Sequence, residues 1–406
     1  MIGKPTRVTA DDPPVVILGG AANALSAARS LGRSGRAVHV LVDRPGHAPV
    51  VNSRYVSSCL PALDGVDRTA QWRAWFRTGP AGSVVLPCGD IGLTFVAHHR
   101  DELIDQGYRP VPAADPVVLA MLDKQRTFEL ARAAGVEAPR VASVSSVEDL
   151  DRLMEDISFP CAFKPRRSHQ NVTGRKGIIV RDRDELNDTY RWLCSVSADM
   201  LVTEIVPGVD DTYCSYYSYL DDDGAPLVHF TKRKIRQYPP VFGDLGSFHS
   251  TRWYPDAAEI GLGFFQSIGL RGIGNVEFKR DARDGRLKLI ECNPRLTAAT
   301  ELVRRSGVDL AEMGYQRALG RPVDPIWQFK TGMYLWLPGL DFQAYRAYRR
   351  QGTLSTARWL ASVARPQTLT VFSPGDLGPA AGAAGQFARR GLRRTRRVLR
   401  GRISVR

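Results

Sequence analysis

The feature that most constrains this chain is a predicted β-hairpin, which reads NVEFKRDARDGRLKLIECNPRL over residues 275–296. Glu291, Asn293 and Arg295 are two residues apart, so on an extended strand their side chains point to one face. Leu289 and Cys292 indicate that the strand itself is largely buried. A polar face in a buried place is unfavourable unless other groups satisfy it, so the pattern predicts a ligand or ion beside this strand.

The turn of the hairpin predicts its register. With the turn centred on Asp284, Glu277 falls opposite Glu291 and Asn275 falls opposite Asn293. Two facing glutamates repel each other, but a hard divalent cation between them makes the arrangement favourable, and oxygen ligands select Mg²⁺ or Mn²⁺. The alternative is a solvated hairpin whose glutamates face water. The opposed pair, with a guanidinium nearby, favours a metal site formed by Glu277, Glu291 and Asn293.

The N-terminal part of the chain has the pattern of a doubly wound α/β domain. Residues 15–42 read as a strand that ends in two glycines, a helix and a second strand, and SVVLPCGD at 83–90 is another buried strand. The glycines of GGAANA at 19–24 lack the GxGxxG spacing of dinucleotide-binding proteins, which disfavours a nicotinamide site. We expect this domain to span residues 1–115.

The rest of the chain alternates short strands and helices with hairpin turns, typical of an α+β domain. We expect two lobes with antiparallel sheets over residues 116–330, the small lobe covering about 125–205. A helical extension follows at 331–385, and an arginine-rich tail at 386–406. The fold class predicted is therefore α/β and α+β, with a doubly wound domain followed by a two-lobed domain.

Four segments occur in the order of one known family. LDKQRTFELARAAGVEAPR begins at Leu122, FPCAFKP at Phe159, TEIVPGVD at Thr203, and the hairpin comes last. Together they resemble the ATP-grasp superfamily, the ligases that include carbamoyl-phosphate synthetase, biotin carboxylase and D-alanine–D-alanine ligase. The KRKIRQYPPVFGD stretch and the aromatic C-terminal region resemble a branch of predicted carboxylate–amine ligases.

This resemblance implies a set of site residues. The phosphates of ATP would meet two lysines, and backbone groups of a hinge would hold the adenine, with one carboxylate on the ribose. The implied nucleotide-binding residues are Lys124, Lys164, Ser168, Lys176, Thr203, Glu204, Ile205, Val206 and Asp210. The implied metal ligands are Glu277, Glu291 and Asn293, and the residues expected at the reacting phosphoryl group are Arg295, Lys234 and Arg236.

The function that the resemblance implies is an ATP- and magnesium- or manganese-dependent ligase. A carboxylate would be activated as an acyl phosphate and transferred to an amine, with release of ADP and phosphate. One alternative is a non-catalytic nucleotide-binding sensor or membrane-associated scaffold with a degenerate core. Another is an enzyme of the carboxylase or carbamoyl-phosphate type. The sequence names neither the carboxylate nor the amine.

The loop that should close on the phosphates departs from the family. It reads PRRSHQNVTGRK over residues 165–176 and holds one glycine where several are usual. With few glycines, fewer backbone N–H groups reach a phosphate closely. Side chains of this loop would then replace them, drawn from Arg166, Arg167, Ser168, His169 and Lys176. The alternative is an ordinary basic surface loop.

Three basic residues alternate along a predicted strand just before QYPPVFGD. Lys232, Lys234 and Arg236 share one face, while Arg233 lies on the other. The shared face would bind an anionic substrate or the acyl phosphate. A solvated strand face is the alternative.

Charge is concentrated at the C-terminal end. Of the formal net charge of +14, nine units belong to arginines of the last 18 residues, so the other 388 residues carry +5. Within the tail, apolar residues recur at helical spacing, which indicates a basic amphipathic helix suited to an anionic membrane surface. A disordered solvated tail is the alternative, and the arginine run lacks aromatic residues that stack on bases, so no specific nucleic acid is expected.

Bulk composition favours a cytoplasmic protein, with peripheral membrane contact through the tail left open. The six cysteines are scattered without a CxxC pair, typical of reduced thiols. The sequence contains no run of 18 apolar residues, so no membrane span is predicted. The first residues lack the apolar core of a signal peptide. The expected partners are small-molecule carboxylates and amines, and a homodimer is left open.

Overall fold

The computed structural model describes residues 12–46, 48–144, 146–241 and 245–385. The first domain is built on a five-stranded parallel sheet in the order β3-β2-β1-β4-β5. Its strands are β1 Val15–Leu18, β2 Val38–Leu41, β3 Ser58–Leu60, β4 Val84–Pro87 and β5 Arg109–Pro110. Three helices connect them: α1 Ala22–Arg33, α2 Arg68–Phe76 and α3 Asp90–Asp105. The doubly wound α/β pattern is confirmed.

The small lobe has a four-stranded antiparallel sheet in the order β6-β9-β7-β8. Its strands are β6 Val141–Ser143, β7 Cys161–Pro165, β8 Ile178–Val180 and β9 Met200–Glu204. The helices of this region are α4 Asp115–Met121, α5 Lys124–Ala133, α6 Val147–Asp156 and α7 Arg183–Ser195. Buried apolar side chains of α6 and α7 pack on one face of the sheet, which forms a separate core.

The large lobe is a seven-stranded sheet in the order β14-β13-β10-β11-β12-β15-β16. Its strands are β10 Tyr213–Leu220, β11 Phe230–Tyr238, β12 Leu245–Thr251, β13 Gly272–Arg280, β14 Leu287–Asn293, β15 Tyr334–Trp336 and β16 Gln367–Leu369. All pairings are antiparallel except β15 with β16. The prediction of antiparallel sheets in a two-lobed domain is confirmed.

Helices of the large lobe cover the sheet and contact the first domain. They are α8 Pro255–Ser267, α9 Thr300–Arg305 and α10 Leu310–Ala318. Buried residues of α10, β10 and the first sheet belong to one apolar core, so the two domains share an interior. Short 3₁₀ turns lie at Pro49–Asn52, Ser168–Gln170 and Asp210–Thr212.

The hairpin of β13 and β14 has the predicted register at the polar end. Glu277 pairs with Glu291, and Asn275 pairs with Asn293. Nearer the turn the register changes, because Phe278 pairs with Leu289. This irregularity adds one residue to β14 between the turn and the glutamate.

The C-terminal extension, for which the sequence predicts helices, also contains strands. It contributes β15 and β16 to the edge of the large sheet, together with α11 Pro338–Arg350 and α12 Thr356–Val363. Its later part returns to the first domain, where Asp376 pairs with the buried Arg29 of α1 at 2.8 Å. The arginine-rich tail lies outside the described residues.

Within the described residues, every helix is too short or too polar to cross a bilayer.

Candidate functional site

A single cross-strand row forms the floor of the candidate site. Glu291 of β14 faces Glu277 of β13, which faces Ser215 of β10, which faces Lys232 of β11. Residues that pair across antiparallel strands share a face of the sheet. Two carboxylates, a hydroxyl and an ammonium group therefore lie side by side, as the sequence predicted for the two glutamates.

Lys234 neutralises one of the two carboxylates. Its Nζ donates to Glu277 Oε1 at 2.7 Å, and the side chains are only 4% and 15% exposed. Burial acts to raise the pKa of Glu277, but the ammonium groups of Lys234 and Lys232 outweigh it, so the pKa lies below its usual value. Glu277 is therefore an ionised carboxylate at neutral pH.

Lys232 extends the basic wall of the site and is itself buried. Its Nζ donates to Ser215 Oγ at 3.0 Å and lies 3.4 Å from Nδ1 of His249. The second ring nitrogen of His249 donates to the carbonyl oxygen of Gly246 at 3.0 Å, and burial holds the pKa of His249 well below its usual value. Burial also lowers the pKa of Lys232 to about 8. Lys232 and Lys234 are thus not on a solvated strand face. The position of His249 beside them was not predicted from the sequence.

The oxygen atoms around Glu291 fit magnesium better than a softer metal. Asn293 donates through Nδ2 to Asn275 Oδ1 at 3.4 Å, so its carbonyl oxygen remains for a cation. In the part of the chain that the structure describes, no three His, Cys, Asp or Glu side chains come together to hold a metal alone. Mg²⁺ uses one or two carboxylates and takes its remaining ligands from water and phosphate. The set of Glu277, Glu291 and Asn293 fits that requirement.

Two lysines from the small lobe face these carboxylates. Lys124 is the first residue of α5, and it lines one cleft together with Glu291 and Asn293. Lys164 lies on β7, where burial lowers its pKa to about 8. The charge of Lys124 also lowers the pKa of Lys164, whereas the charges of Glu291 and Glu277 raise it. Lys124 thus shares a cleft with Glu291 and Asn293, and Lys164 lies near enough to Glu291 and Glu277 for their charges to act on its pKa.

Side chains hold the glycine-poor loop against the start of α5. Asp123 caps this helix and also pairs with Arg166 at 2.8 Å and with Arg167 at 2.7 Å. Ser168 Oγ accepts from Lys124 Nζ at 2.8 Å. The two arginines expected to contact phosphate are therefore engaged by Asp123, whereas Ser168 lies at the site. Lys176 is exposed at the far end of the loop.

Arg295 is joined to the first domain through Asp90. Arg295 Nε donates to Asp90 Oδ1 at 2.6 Å, and Asp90 is the first residue of α3. Burial acts to raise the pKa of Asp90, but Arg295 outweighs it, with His169 and Lys124 in the same direction. His169 Nδ1 is buried without a hydrogen-bond partner among the described residues. The first domain thus contributes a carboxylate to the site.

The predicted adenine hinge, residues 203–206, lies where β9 ends. Lys279 Nζ donates to the carbonyl oxygen of Val206 at 2.7 Å, and Arg283 pairs with the Glu204 carboxylate at 2.6 Å. Both contacts come from β13 or its turn, so they join the small lobe to the large lobe.

Asp210, the predicted ribose ligand, is only 7% exposed. Its Oδ1 accepts from Gln237 Nε2 at 2.7 Å, and its Oδ2 accepts from the Val241 amide at 2.9 Å and from the Tyr348 hydroxyl. Tyr348 belongs to α11, so the C-terminal extension reaches the site. The sequence held no signal for this contact.

Arg236 is separated from the other predicted catalytic residues by its contacts. Its guanidinium makes two hydrogen bonds of 2.8 Å to Asp341 of α11 and one of 3.0 Å to Ser362. Arg236 is 5% exposed, and Asp341 is fully buried. The structure therefore brings Arg295 and Lys234 to the carboxylates and uses Arg236 to hold the extension.

A family model matches residues 254–326, the region of the metal hairpin: the carbamoyl-phosphate synthase L chain, ATP binding domain. The chain is 22% identical over 242 residues to the carbamoyl phosphate synthase large chain of Vibrio cholerae, covering 57% of this chain and 22% of that protein. It is 25% identical over 250 residues to the D-aspartate ligase of Enterococcus faecium, covering 56% of each. The chain thus spans about a fifth of the length of the first of these curated relatives and little more than half of the length of the second.

Solved structures match over a larger share. N5-carboxyaminoimidazole synthetase from Staphylococcus aureus, complexed with ADP, aligns with a TM-score of 0.63 and 15% identity over 79% of this chain and 80% of that chain. The chain has the ATP-grasp fold. L-amino acid ligase from Bacillus licheniformis aligns with a TM-score of 0.59 and 18% identity over 78% and 76% of the two chains. The resemblance drawn from the four sequence segments is confirmed by this ATP-grasp fold.

Proposed function

We propose that this chain is an ATP- and magnesium-dependent ligase that joins a small carboxylate to an amine. The observation that carries the proposal is the facing pair of Glu277 and Glu291, with Lys124 lining the same cleft as Glu291 and Asn293. Facing carboxylates repel each other, and a divalent cation beside Glu291 and Asn293 would offset that repulsion, as Lys234 already does for Glu277. A magnesium–nucleotide complex would supply that cation and bring its phosphates toward Lys124.

The reaction has two displacement steps. A carboxylate oxygen of the substrate attacks the γ-phosphorus of ATP, the bond from that phosphorus to the bridging oxygen breaks, and ADP leaves. The amine nitrogen then attacks the acyl carbon, the bond from that carbon to the phosphate oxygen breaks, and the nitrogen loses a proton. The products are an amide, ADP and phosphate.

The residues of this chain would mainly position the substrates and neutralise negative charge. Lys124 and Lys164 would orient the phosphates, and Lys234 would face the transferring phosphoryl group beside Glu277. Arg295 would stabilise negative charge on the acyl phosphate and on the oxyanion of the second step. Magnesium, held by Glu277, Glu291 and Asn293, would supply charge neutralisation at the phosphates.

Two similar proteins support an amino acid as a substrate. The D-aspartate ligase and the L-amino acid ligase are named for amino acid substrates, and both match more than half of this chain. The basic wall of Lys232 and Lys234 suits a carboxylate or an acyl phosphate. We therefore propose amino acids as the first compounds to screen. Formation of a homodimer stays a prediction.

The decisive experiment measures nucleotide binding first and turnover second. ATP should raise the melting temperature of the full chain only with Mg²⁺, and Glu291→Gln should abolish that rise. Glu137→Gln is the matched control, because Glu137 pairs with Lys288 on the same hairpin away from the site. A screen of amino acid pairs should then give ADP that depends on both partners.

Different failures of this experiment lead to different conclusions. Magnesium-dependent ATP binding without ADP release for any pair would favour the sensor or scaffold. ADP release that requires bicarbonate would favour the carboxylase or carbamoyl-phosphate type. No ATP binding by the wild type would reject the nucleotide site itself.

We also propose that the C-terminal region contacts an anionic membrane surface. Residues 331–406 hold 14 arginines and two acidic residues, while the other 330 residues hold 42 basic and 40 acidic ones. Both acids, Asp341 and Asp376, are buried. The arginines of the described part are all exposed: Arg346, Arg349, Arg350, Arg358 and Arg365. Phe342 and Leu360 lie among them at 49% and 53% exposure, which adds apolar contact to the charge.

Vesicle sedimentation tests this contact with the full chain. Binding to phosphatidylserine–phosphatidylcholine vesicles should exceed binding to phosphatidylcholine alone and should weaken as salt rises. Arg346→Glu with Arg350→Glu should reduce it. Equal binding to both vesicle types would contradict the proposal, as would a strong preference for single-stranded RNA over vesicles.

A further inference from the structure

An apolar cavity lies between the first domain and the large lobe, beside Arg295. Its unfilled space is about 450 Å³, counted out to the solvent at its mouth. Most of the lining is apolar and comes from the first domain, α4 and the large sheet: Leu86, Leu93, Val96, Val118, Tyr219 and Ile273. Arg100 and Asp115 also line the cavity, but they form an ion pair with each other. The cavity therefore suits an apolar group.

The order of residues along β13 relates this cavity to the predicted metal ligands. Glu277, Asn275 and Ile273 are two residues apart, so their side chains share one face of the sheet. Ile273 belongs to the apolar core that is shared with the first domain, which lies on that face. Four strand residues span about 14 Å, so the cavity begins about that far from Glu277, beyond the pair of Asn275 and Asn293.

The ion pair of Asp90 and Arg295 lies between this cavity and the cleft of the metal ligands. Arg295 lines the cavity, whereas Asp90 lines the cleft together with Glu291 and Asn293. One hydrogen bond joins the two side chains, from Arg295 Nε to Asp90 Oδ1 at 2.6 Å. The side chains are 19% and 13% exposed, so both remain accessible from the space around them.

Each partner of this pair keeps a polar atom for a ligand. Arg295 Nη1 donates to the carbonyl oxygen of Leu296 at 3.2 Å, but Nη2 has no acceptor in the part of the chain that the structure describes. Asp90 Oδ2 accepts no hydrogen bond from the described residues. By contrast, the pair of Arg100 and Asp115 uses both carboxylate oxygens, at 2.5 and 2.8 Å. An open guanidinium nitrogen beside an open carboxylate oxygen matches the carboxylate and ammonium groups of an α-amino acid.

We propose that the cavity receives the apolar side chain of an α-amino acid whose charged groups bind Arg295 and Asp90. The carboxylate of this amino acid lies on Arg295 Nη2, and the ammonium group lies on Asp90 Oδ2. Because Arg295 follows the proposed metal ligand Asn293 by two residues, this carboxylate is the one that receives the γ-phosphoryl group. The inference rests on the proposed ligase function and deepens it, since it names the class of substrate that forms the acyl phosphate.

Hydroxylamine trapping tests this assignment on the full chain with ATP and Mg²⁺. The nitrogen of hydroxylamine displaces phosphate from an acyl phosphate, so the hydroxamate identifies the activated carboxylate without an amine substrate. Leucine and valine, tested in both configurations, should be activated at least about tenfold more efficiently than aspartate and lysine, whose charges are unfavourable in an apolar cavity. 4-Methylpentanoate, which is leucine without its ammonium group, should have a kcat/KM at least about tenfold below that of leucine.

Asp90→Asn tests the contact with the ammonium group. It should lower kcat/KM for leucine by about tenfold and leave that for 4-methylpentanoate nearly unchanged, because only the charged contact is weakened. Asp256→Asn is the matched control, since Asp256 also lies in the first turn of a helix and pairs with an arginine, Arg280, away from the cavity. It should leave the preference for leucine over 4-methylpentanoate unchanged.

Ala113→Leu tests the cavity itself. Ala113 lines the cavity from the segment between β5 and α4, so the added carbons enter the space without replacing a core side chain. The variant should lower kcat/KM for leucine by about tenfold relative to alanine, because the larger substrate no longer fits. Its melting temperature should still rise with ATP and Mg²⁺ as in the wild type.

The remaining outcomes separate this inference from the function on which it rests. Equal losses for leucine and 4-methylpentanoate in Asp90→Asn would show a merely structural role and overturn the ammonium contact. A wild type that activates charged or amine-free carboxylates better than leucine would overturn the assignment, as would an unchanged preference in Ala113→Leu. Magnesium-dependent ATP binding without hydroxamate from any carboxylate would instead reject the proposed ligase function.

Discussion

The ammonium group of Lys234 lies 2.7 Å from the carboxylate of Glu277, on the same sheet face as Glu291. This pair joins the basic wall of the site, Lys232 and Lys234, to the two facing carboxylates. Because both side chains are largely buried, neither charge is well solvated without the other, so the pair matters for stability as well as for chemistry.

Lys234→Met should therefore destabilise the protein by about 3 kcal/mol, since it leaves a buried carboxylate without its nearest cation. Urea unfolding of Lys234→Met, Glu277→Gln and the double variant would measure the coupling. The double variant should be more stable than the sum of the single losses predicts. Lys288→Met is the control, because Lys288 pairs with the half-exposed Glu137 and should cost less than about 1 kcal/mol. Strict additivity would contradict the coupling.

The hairpin register was predictable from sequence for a partly fortuitous reason. Centring the turn on Asp284 gives the observed pairing of Glu277 with Glu291, whereas nearer the turn Phe278 pairs with Leu289. The irregularity adds one residue to β14 and moves the centre by half a residue. Alternating polar residues and the turn can be read from the chain, but an irregularity in the ladder cannot.

The contacts that sequence reasoning missed are all long-range. Arg236 meets Asp341 105 residues later, and Asp210 meets Tyr348 138 residues later. Spacing rules describe neighbours on one strand or helix, and no spacing rule relates α11 to β11. The alternation of Lys232, Lys234 and Arg236 predicted one shared face, but the strand pairing shifts between Lys234 and Arg236, and only the two lysines lie at the carboxylates. The partner of Arg236 depends on how the extension packs.

The buried pair of Arg236 and Asp341 should be structural and not catalytic. Asp341→Ala should cost about 3–5 kcal/mol because Arg236 then stays buried without its partner. Arg236→Met with Asp341→Leu should recover much of that loss, because apolar residues of similar size remove both charges. Thermal unfolding measures the stability, and ADP release measures the activity. A stable double variant without activity would restore Arg236 to a catalytic role.

Asp123 should control the loop that carries Ser168. Asp123→Asn keeps a side chain able to cap α5 but weakens the attraction for Arg166 and Arg167. The loop should become more sensitive to trypsin, and the KM for ATP should rise by about tenfold, equivalent to about 1.4 kcal/mol. Asp182→Asn, at the cap of α7, is the control. Unchanged proteolysis together with unchanged KM would show that the two ion pairs do not order the loop.

The acid stability of the protein should depend on Glu301, which links α9 to the first domain. Its carboxylate accepts from Ser26 of α1 and pairs with Arg304 and Arg305 at 2.9 and 3.0 Å. Burial acts to raise the pKa of Glu301, but Arg304 and the other donors outweigh it and lower the pKa to about 2. Because the folded state has the lower pKa, this stabilisation is complete above the unfolded value of about 4.3 and is lost as pH falls toward 2.

The size of that effect is on the order of 3 kcal/mol, the free energy that corresponds to lowering the pKa of Glu301 from about 4.3 to about 2. Unfolding by urea at pH 7, 5, 4 and 3 would measure it as the difference between wild type and Glu301→Gln. The difference should be largest at pH 7 and should shrink steadily below pH 5, because the protonated glutamate then resembles the amide. Glu185→Gln, which alters an exposed carboxylate at the start of α7, should show no such convergence. A difference that stays constant from pH 7 to 3 would show that the Glu301 cluster does not bind its carboxylate more tightly in the folded state.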